Sequence, residues 1–204
     1  MNEAPTSTAD YVEFLQNQNR GWKRFVDVQI PYRFNIRRIC HGAVLEVGCG
    51  LGRHLKTLGP GAIGVEHNDR AIEICRAQGL TVYSSSTFAS QWEAAGGSRF
   101  DTLLFSHVLE HLERDEGRTI VREYMRFLRP GGRLVAITPQ ERGFASDPTH
   151  VSFCDFETLA ELAASCGFRV EQSYSFPLPR WAGRAFQHNE FVVVSTLQTP
   201  QTVI

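Results

Sequence analysis

Val44-Leu45-Glu46-Val47-Gly48-Cys49-Gly50-Leu51-Gly52-Arg53-His54 is the stretch that decides how this 204-residue chain reads. Its opening residues form an apolar run too short for a helix and closed by glycines, which predicts a buried β-strand. Gly48, Gly50 and Gly52 allow unusual backbone angles and the close approach of a ligand. Residues 53–58 suit a helix, stopped by Gly59-Pro60-Gly61. A strand that passes through a glycine-rich turn into a helix offers its backbone amides to a ligand.

Outward from this turn the pattern alternates. Residues 62–65 read as the next strand, and Glu66 at its end stands where a carboxylate accepts hydrogen bonds from vicinal ribose hydroxyls. Asn68 or Asp69 can cap a helix that Gly79 stops. Strands follow at residues 80–83, 102–105 and 134–138, with a charged helix over 115–128 between the last two. Beyond a helix at 156–166 come strands at 168–175 and 190–197. Pro177 and Pro179 leave no useful helix between them, so these two should pair antiparallel at one end of the sheet. Before the loop, a helix is expected from about Asp10, and Pro31 can open a second one through Ile39. Alternating strands and helices predict an α/β fold whose mostly parallel sheet is covered on both faces.

The glycine spacing separates two kinds of nucleoside site. A dinucleotide fingerprint, GxGxxG, needs its third glycine at position 53, which is Arg53. Here the spacing is GxGxG. With Val44 to His54, this loop resembles the first motif of class I S-adenosylmethionine-dependent methyltransferases. Gly64-Val65-Glu66 resembles the second motif of that family, and residues 100–112 (FDTLLFSHVLEHL) resemble its fourth-strand motif. Phe127-Leu128-Arg129-Pro130-Gly131-Gly132-Arg133-Leu134 resembles the turn before its fifth strand.

The resemblance implies a Rossmann-like sheet of seven strands, mostly parallel with an antiparallel last strand, and S-adenosyl-L-methionine as cofactor. It implies that Glu46, Gly48 and Gly50 hold the methionine part and that Ser106 or His107 closes over it. Glu66 would bind the ribose. Cys49, Gly52 and His67 complete the expected cofactor set, Cys49 as a small loop residue rather than a nucleophile. The family often presents an acid to the adenine after the third strand, where this chain has Ser84-Ser85-Ser86-Thr87-Phe88. Thr87 and Phe88 are expected to serve there, the ring packing on the adenine.

Methyl transfer from a sulfonium depends chiefly on aligning nucleophile, methyl and sulfur, while an alcohol nucleophile also gains from a general base. On the acceptor side, His107, Glu110 and His111 would share one face of a helix. Asp147 and His150 follow the fifth strand. Three readings stay open: Glu110 and His111 only fix a turn; His107 or His150 acts as base, with Asp147 orienting a ring nitrogen; or His107, Glu110, His111 and His150 bind a metal. The last resembles the Glu-x-x-Glu-His plus distant His set of small-RNA 2′-O-methyltransferases, with His107 in place of the first glutamate. The assigned catalytic set is His107, His111, His150 and Asp147, without a metal.

The net charge of −1 lacks the basic surplus expected of a polyanion binder. Five scattered cysteines without a CxxC pair suit a reducing compartment. The polar start is unlike a signal peptide and no apolar run is long enough to span a bilayer. These features predict a cytoplasmic, single-domain enzyme, with residues 1–40 a helical lid segment and 41–204 the catalytic domain. The expected reaction is methylation of a small molecule, at oxygen. RNA 2′-O-methylation and non-catalytic cofactor binding remain alternatives, as do monomer and homodimer.

Overall fold

The computed structural model describes residues 29–198. Helix α1 (Ile30–Ile39), with Pro31 in its first turn, leads into β1 (Val44–Val47), α2 (Arg53–Leu58), β2 (Ala62–Glu66), α3 (Asp69–Ala77) and β3 (Val82–Ser84). Then follow α4 (Phe88–Ala94), β4 (Phe100–Ser106), α5 (Arg114–Met125) and β5 (Leu128–Pro139). The chain closes through α6 (Glu141–Phe144), α7 (Phe156–Ser165), β6 (Phe168–Phe176) and β7 (Glu190–Leu197). The helix expected from Asp10 lies outside the described residues.

All seven strands form one sheet in the order β3-β2-β1-β4-β5-β7-β6. The pairs from β3 to β5 are parallel, and β7 runs antiparallel to both β5 and β6. Both sheet faces are buried, as near-continuous apolar strands require. Along β4, Leu103 and Phe105 join one core cluster while Leu104 joins the other. Along β7, Phe191 and Val193 alternate with Val192 and Val194 in the same way.

Three local expectations change. Helix α4 was not evident, because Phe88 and Trp92, one turn apart, are the large apolar residues of a seven-residue segment. Strand β5 begins at Leu128, with Pro130-Gly131-Gly132 absorbed as an irregularity in its pairing with β4. Most relevant to function, residues 107–111 form no α-helix. His107 sits at a left-handed φ of 57°, and a single 3₁₀ turn covers Leu109–His111. The one-face helical spacing expected of His107, Glu110 and His111 is therefore absent.

Candidate functional site

The order in which strands are added reverses between the parallel neighbours β1 and β4: β2 and β3 lie on one side of β1, the later strands on the other. Ligands of open α/β sheets sit beyond the carboxyl ends of the strands at such a point. Here that end carries the glycine loop from β1 and the His107 turn from β4. Gly48, Gly50 and Gly52 have φ of 71°, 52° and 71°. A Cβ at Gly48 would lie 2.5 Å from Val108 Cγ2, and one at Gly52 2.3 Å from Leu80 Cδ1. The left-handed angle favours glycine at both positions, and at Gly48 the branched Val108 side chain also fills the space a Cβ would take. The loop is tied to β2, since the Gly48 and Cys49 amides donate to the Val65 carbonyl at 2.8 and 3.2 Å.

Glu66, buried at the end of β2, is the hub of the hydrogen bonds behind the glycine loop. Its Oε2 accepts from the Gly50 amide at 2.8 Å, and its Oε1 from the His67 and Asn68 amides at 2.8 and 3.0 Å. His67 Nδ1 stands 2.9 Å from the same Oε1. Burial opposes the charge, but the His67 ring and the amides outweigh it and hold the carboxyl below its ordinary range. Glu46, at 2% exposure, meets His54 Nδ1 through Oε1 at 2.7 Å, while its Oε2 has no partner. A buried, partnerless carboxylate oxygen two residues before the loop fits a cationic or N–H ligand.

The neighbouring thiols support this loop. Cys75 Sγ donates to the Gly50 carbonyl at 3.3 Å. Its bond to Cys49, together with burial, pushes the Cys49 thiol up, away from any nucleophilic thiolate. Toward the expected adenine side, Phe88 is wholly buried among Tyr83, Trp92, Tyr124 and Phe127. Its ring leaves no face for a base, which corrects the expected stacking role. Thr87 stays half-buried at the surface beside Ser86, whose Oγ lies 3.0 Å from Ser84 Oγ. Ser106 is buried at the end of β4.

At the end of β4, His107 lies between two carboxylates, with Nδ1 3.1 Å from Glu110 Oε1 and Nε2 3.0 Å from Glu190 Oε1. Burial works against a charged ring here, but Glu110 and Glu190 outweigh it and push its pKa up to about 10. At neutral pH His107 is a cation with both nitrogens engaged, so it donates protons and does not act as the base considered from the sequence. Glu110 is fully buried and its Oε2 has no partner.

The Glu110 carbonyl accepts from the Val151 and Ser152 amides at 2.8 and 3.1 Å, which draws His150 beside the 3₁₀ turn. The His111 and His150 rings meet edge to face at 4.7 Å. Burial chiefly holds His111 below its ordinary pKa, so it is neutral. Asp147 is bound by the Thr149 amide at 2.9 Å and hydroxyl at 2.6 Å, and its Oδ2 stands 3.9 Å from His150 Nε2. Burial would raise the Asp147 carboxyl, but the Thr149 bonds and the two histidines lower it. The structure thus brings His111, His150 and Asp147 together with Glu110, and turns His107 toward Glu190.

Sequence reasoning missed Glu190 and the role of His54. Glu190 carries no motif and reaches His107 only because β7 is antiparallel beside β5. His54 stands in the loop motif, yet nothing local announces that it turns back to Glu46. In the connection between β6 and β7, Arg180 is committed to Glu141 at 2.8 Å and lies over the Phe191 ring. Trp181 stays 77% exposed. Tyr32 in α1 donates to the His188 carbonyl at 2.8 Å, tying this helix to the β6–β7 connection.

A family model described as a methyltransferase domain matches residues 14–173. The fold is similar to a SAM-dependent methyltransferase from Archaeoglobus fulgidus, at 20% identity over 92% of this chain and 100% of that one, with a TM-score of 0.66. It is also similar to the N-methyltransferase NodS from Bradyrhizobium japonicum in complex with S-adenosyl-L-homocysteine. That match has 17% identity over 95% and 100% of the two chains and a TM-score of 0.67. A third is 1,6-didemethyltoxoflavin-N1-methyltransferase from Burkholderia thailandensis, at 19% identity, 93% and 86% coverage and a TM-score of 0.61. No curated protein matches the sequence.

Sheet order, glycine loop and buried acid together define a methyltransferase of the Rossmann-like class that takes its methyl group from S-adenosylmethionine. The chain belongs to the methyltransferase-domain family.

Proposed function

We propose that this enzyme methylates a hydroxyl oxygen of a small molecule, with the donor held by the β1 loop and the acceptor activated at Glu110, His111 and His150. On this reading Glu46 Oε2 receives the ammonium of the donor's methionine part, and the backbone of Gly48 and Gly50 lines that part. Glu66 receives the ribose hydroxyls. Of its four partners, the 42%-exposed His67 side chain is the one that can swing aside for them. Ser106 and the His107 turn close over the donor, Thr87 serves the adenine edge, and α1 with Tyr32 covers the site as part of the 1–40 segment.

The observation that carries the acceptor half is a cluster of acceptor atoms: Glu110 Oε2, which has no partner, Asp147 Oδ2, and the Nε2 atoms of His111 and His150, whose Nδ1 atoms face carbonyl oxygens. Such a cluster removes or polarises the proton of a hydroxyl, which an amine acceptor does not require. The toxoflavin-precursor enzyme among the similar structures acts on a small molecule, in keeping with a net charge of −1 and no basic excess for a nucleic acid. Among the described residues no helix is long and apolar enough to cross a membrane.

Labelled cofactor incubated with the enzyme and fractionated cell extract identifies the compound that takes the methyl. The expected product is a small O-methyl ether or ester, formed about 10²–10⁴-fold more slowly by His150→Ala. Transfer to nitrogen, or a rate unchanged in His150→Ala, contradicts the reading.

A further inference from the structure

Among the described residues, one group of ligand-bearing side chains closes to the range of a metal ion. Glu110, His111 and His150 each place one ligand atom within 4.8 Å of the other two. Glu110 is fully buried; its Oε1 faces His107, and its Oε2 is partnerless. A buried carboxylate oxygen stripped of water and left without a donor calls for a cation.

The tautomers of both histidines point the same way. His150 Nδ1 lies 2.9 Å from the Phe144 carbonyl, and His111 Nδ1 3.3 Å from the Thr149 carbonyl. A carbonyl oxygen only accepts, so each Nδ1 carries a proton, which leaves Nε2 as the ring nitrogen that can offer a lone pair to an ion. The Thr149 hydroxyl donates to Asp147 and so can accept from His111 Nδ1, consistent with that assignment. Metal-bound imidazoles are held in this manner, with the far ring N–H fixed by a carbonyl or carboxylate. His150 Nε2 and Asp147 Oδ2 stand 3.9 Å apart, so this carboxylate oxygen lies beside the ligand nitrogen.

We propose that Glu110, His111 and His150 form a site for one divalent ion of the zinc class, with Asp147 supplying a fourth ligand directly or through water. Two imidazoles favour a borderline transition-metal ion over magnesium or calcium, which prefer all-oxygen shells. Three protein ligands leave a coordination position for water or an acceptor oxygen, as at catalytic zinc sites. That use of the ion rests on the oxygen-acceptor reading above, whereas the ion site itself does not.

Untagged protein, stripped with chelator and titrated with Co²⁺ by calorimetry and visible absorption, tests the site without an acceptor. One ion per chain and a visible ligand-field band are expected, with affinity more than about tenfold weaker in Glu110→Gln and in His150→Asn. S-adenosylhomocysteine affinity should hold within about twofold in both variants, a readout that also certifies their folding. Should His150→Asn fail to fold, the near-isosteric Glu110→Gln decides. No saturable Co²⁺ binding, or unchanged affinity in the folded variants, overturns the proposal. Intact metal binding with methylation at nitrogen overturns only the oxygen reading. Oxygen methylation by a chain that binds no ion overturns only the metal site.

Discussion

Glu66 keeps its charge because three backbone amides and the His67 ring converge on one buried carboxylate. Its folded pKa is depressed, so the stability it contributes is fully present above the unfolded carboxylate value of about 4.3. That contribution is lost as pH falls through the folded value. Thermal midpoints recorded from pH 7 to pH 3 should drop more steeply below about pH 4.5 in the wild type than in Glu66→Gln. A parallel decline in the two proteins contradicts this role.

His107 works with the opposite sign, as a cation that keeps Glu110 and Glu190 from facing each other unscreened. His107→Asn should destabilise by about 1–2 kcal/mol in denaturant unfolding, below the 3–5 kcal/mol of a fully buried pair because about a third of the ring is exposed. Adding Glu190→Gln should recover part of the loss, and a strictly additive double variant would deny the coupling.

At the scale of elements, the β4 turn is docked onto the β1 loop at Gly48, where a Cβ would strike Val108. Gly48→Ala therefore meets both a left-handed φ, which costs about 1–2 kcal/mol, and a clash. Val108→Ala in the same chain should return the steric part and leave the backbone part, as read from unfolding free energies. If Val108→Ala brings no recovery, the two elements are not in contact as described.

What could be read from the sequence follows from the range of each interaction. The loop, Glu46 and Glu66 belong to adjoining strand ends, so local motif and spacing were enough. The antiparallel ending was legible because Pro177 and Pro179 forbid a crossover helix. Helix α4 was not, since two aromatic residues in seven give too little periodicity, and its Phe88 turned inward where an adenine contact was expected. The His107–Glu190 pair spans 83 residues and exists only through strand order, which no local pattern encodes.

For the molecule as a whole, the site lies between elements that fold as one sheet, so donor binding and global stability should be linked. S-adenosylhomocysteine at 100 times its Kd should stabilise the fold by about 2.7 kcal/mol, raising Tm by about 5–10 °C for a chain of this size. Leu104→Ala, fully buried in β4, should cost about 2–5 kcal/mol while leaving the loop groups in place. Affinity for the cofactor in the folded variant should then change far less than stability.

The central claim is that the loop at Gly48 to Gly52, with Glu66 at its back, holds the methyl donor. Calorimetric titration of S-adenosylhomocysteine into wild type and Glu66→Ala tests it most directly. The account predicts saturation at one ligand per chain for the wild type and affinity weaker by about 10–100-fold in the variant, the loss of charge-assisted bonds worth about 1.5–3 kcal/mol. No saturable heat with the wild type, or equal affinity in a folded Glu66→Ala, would contradict it.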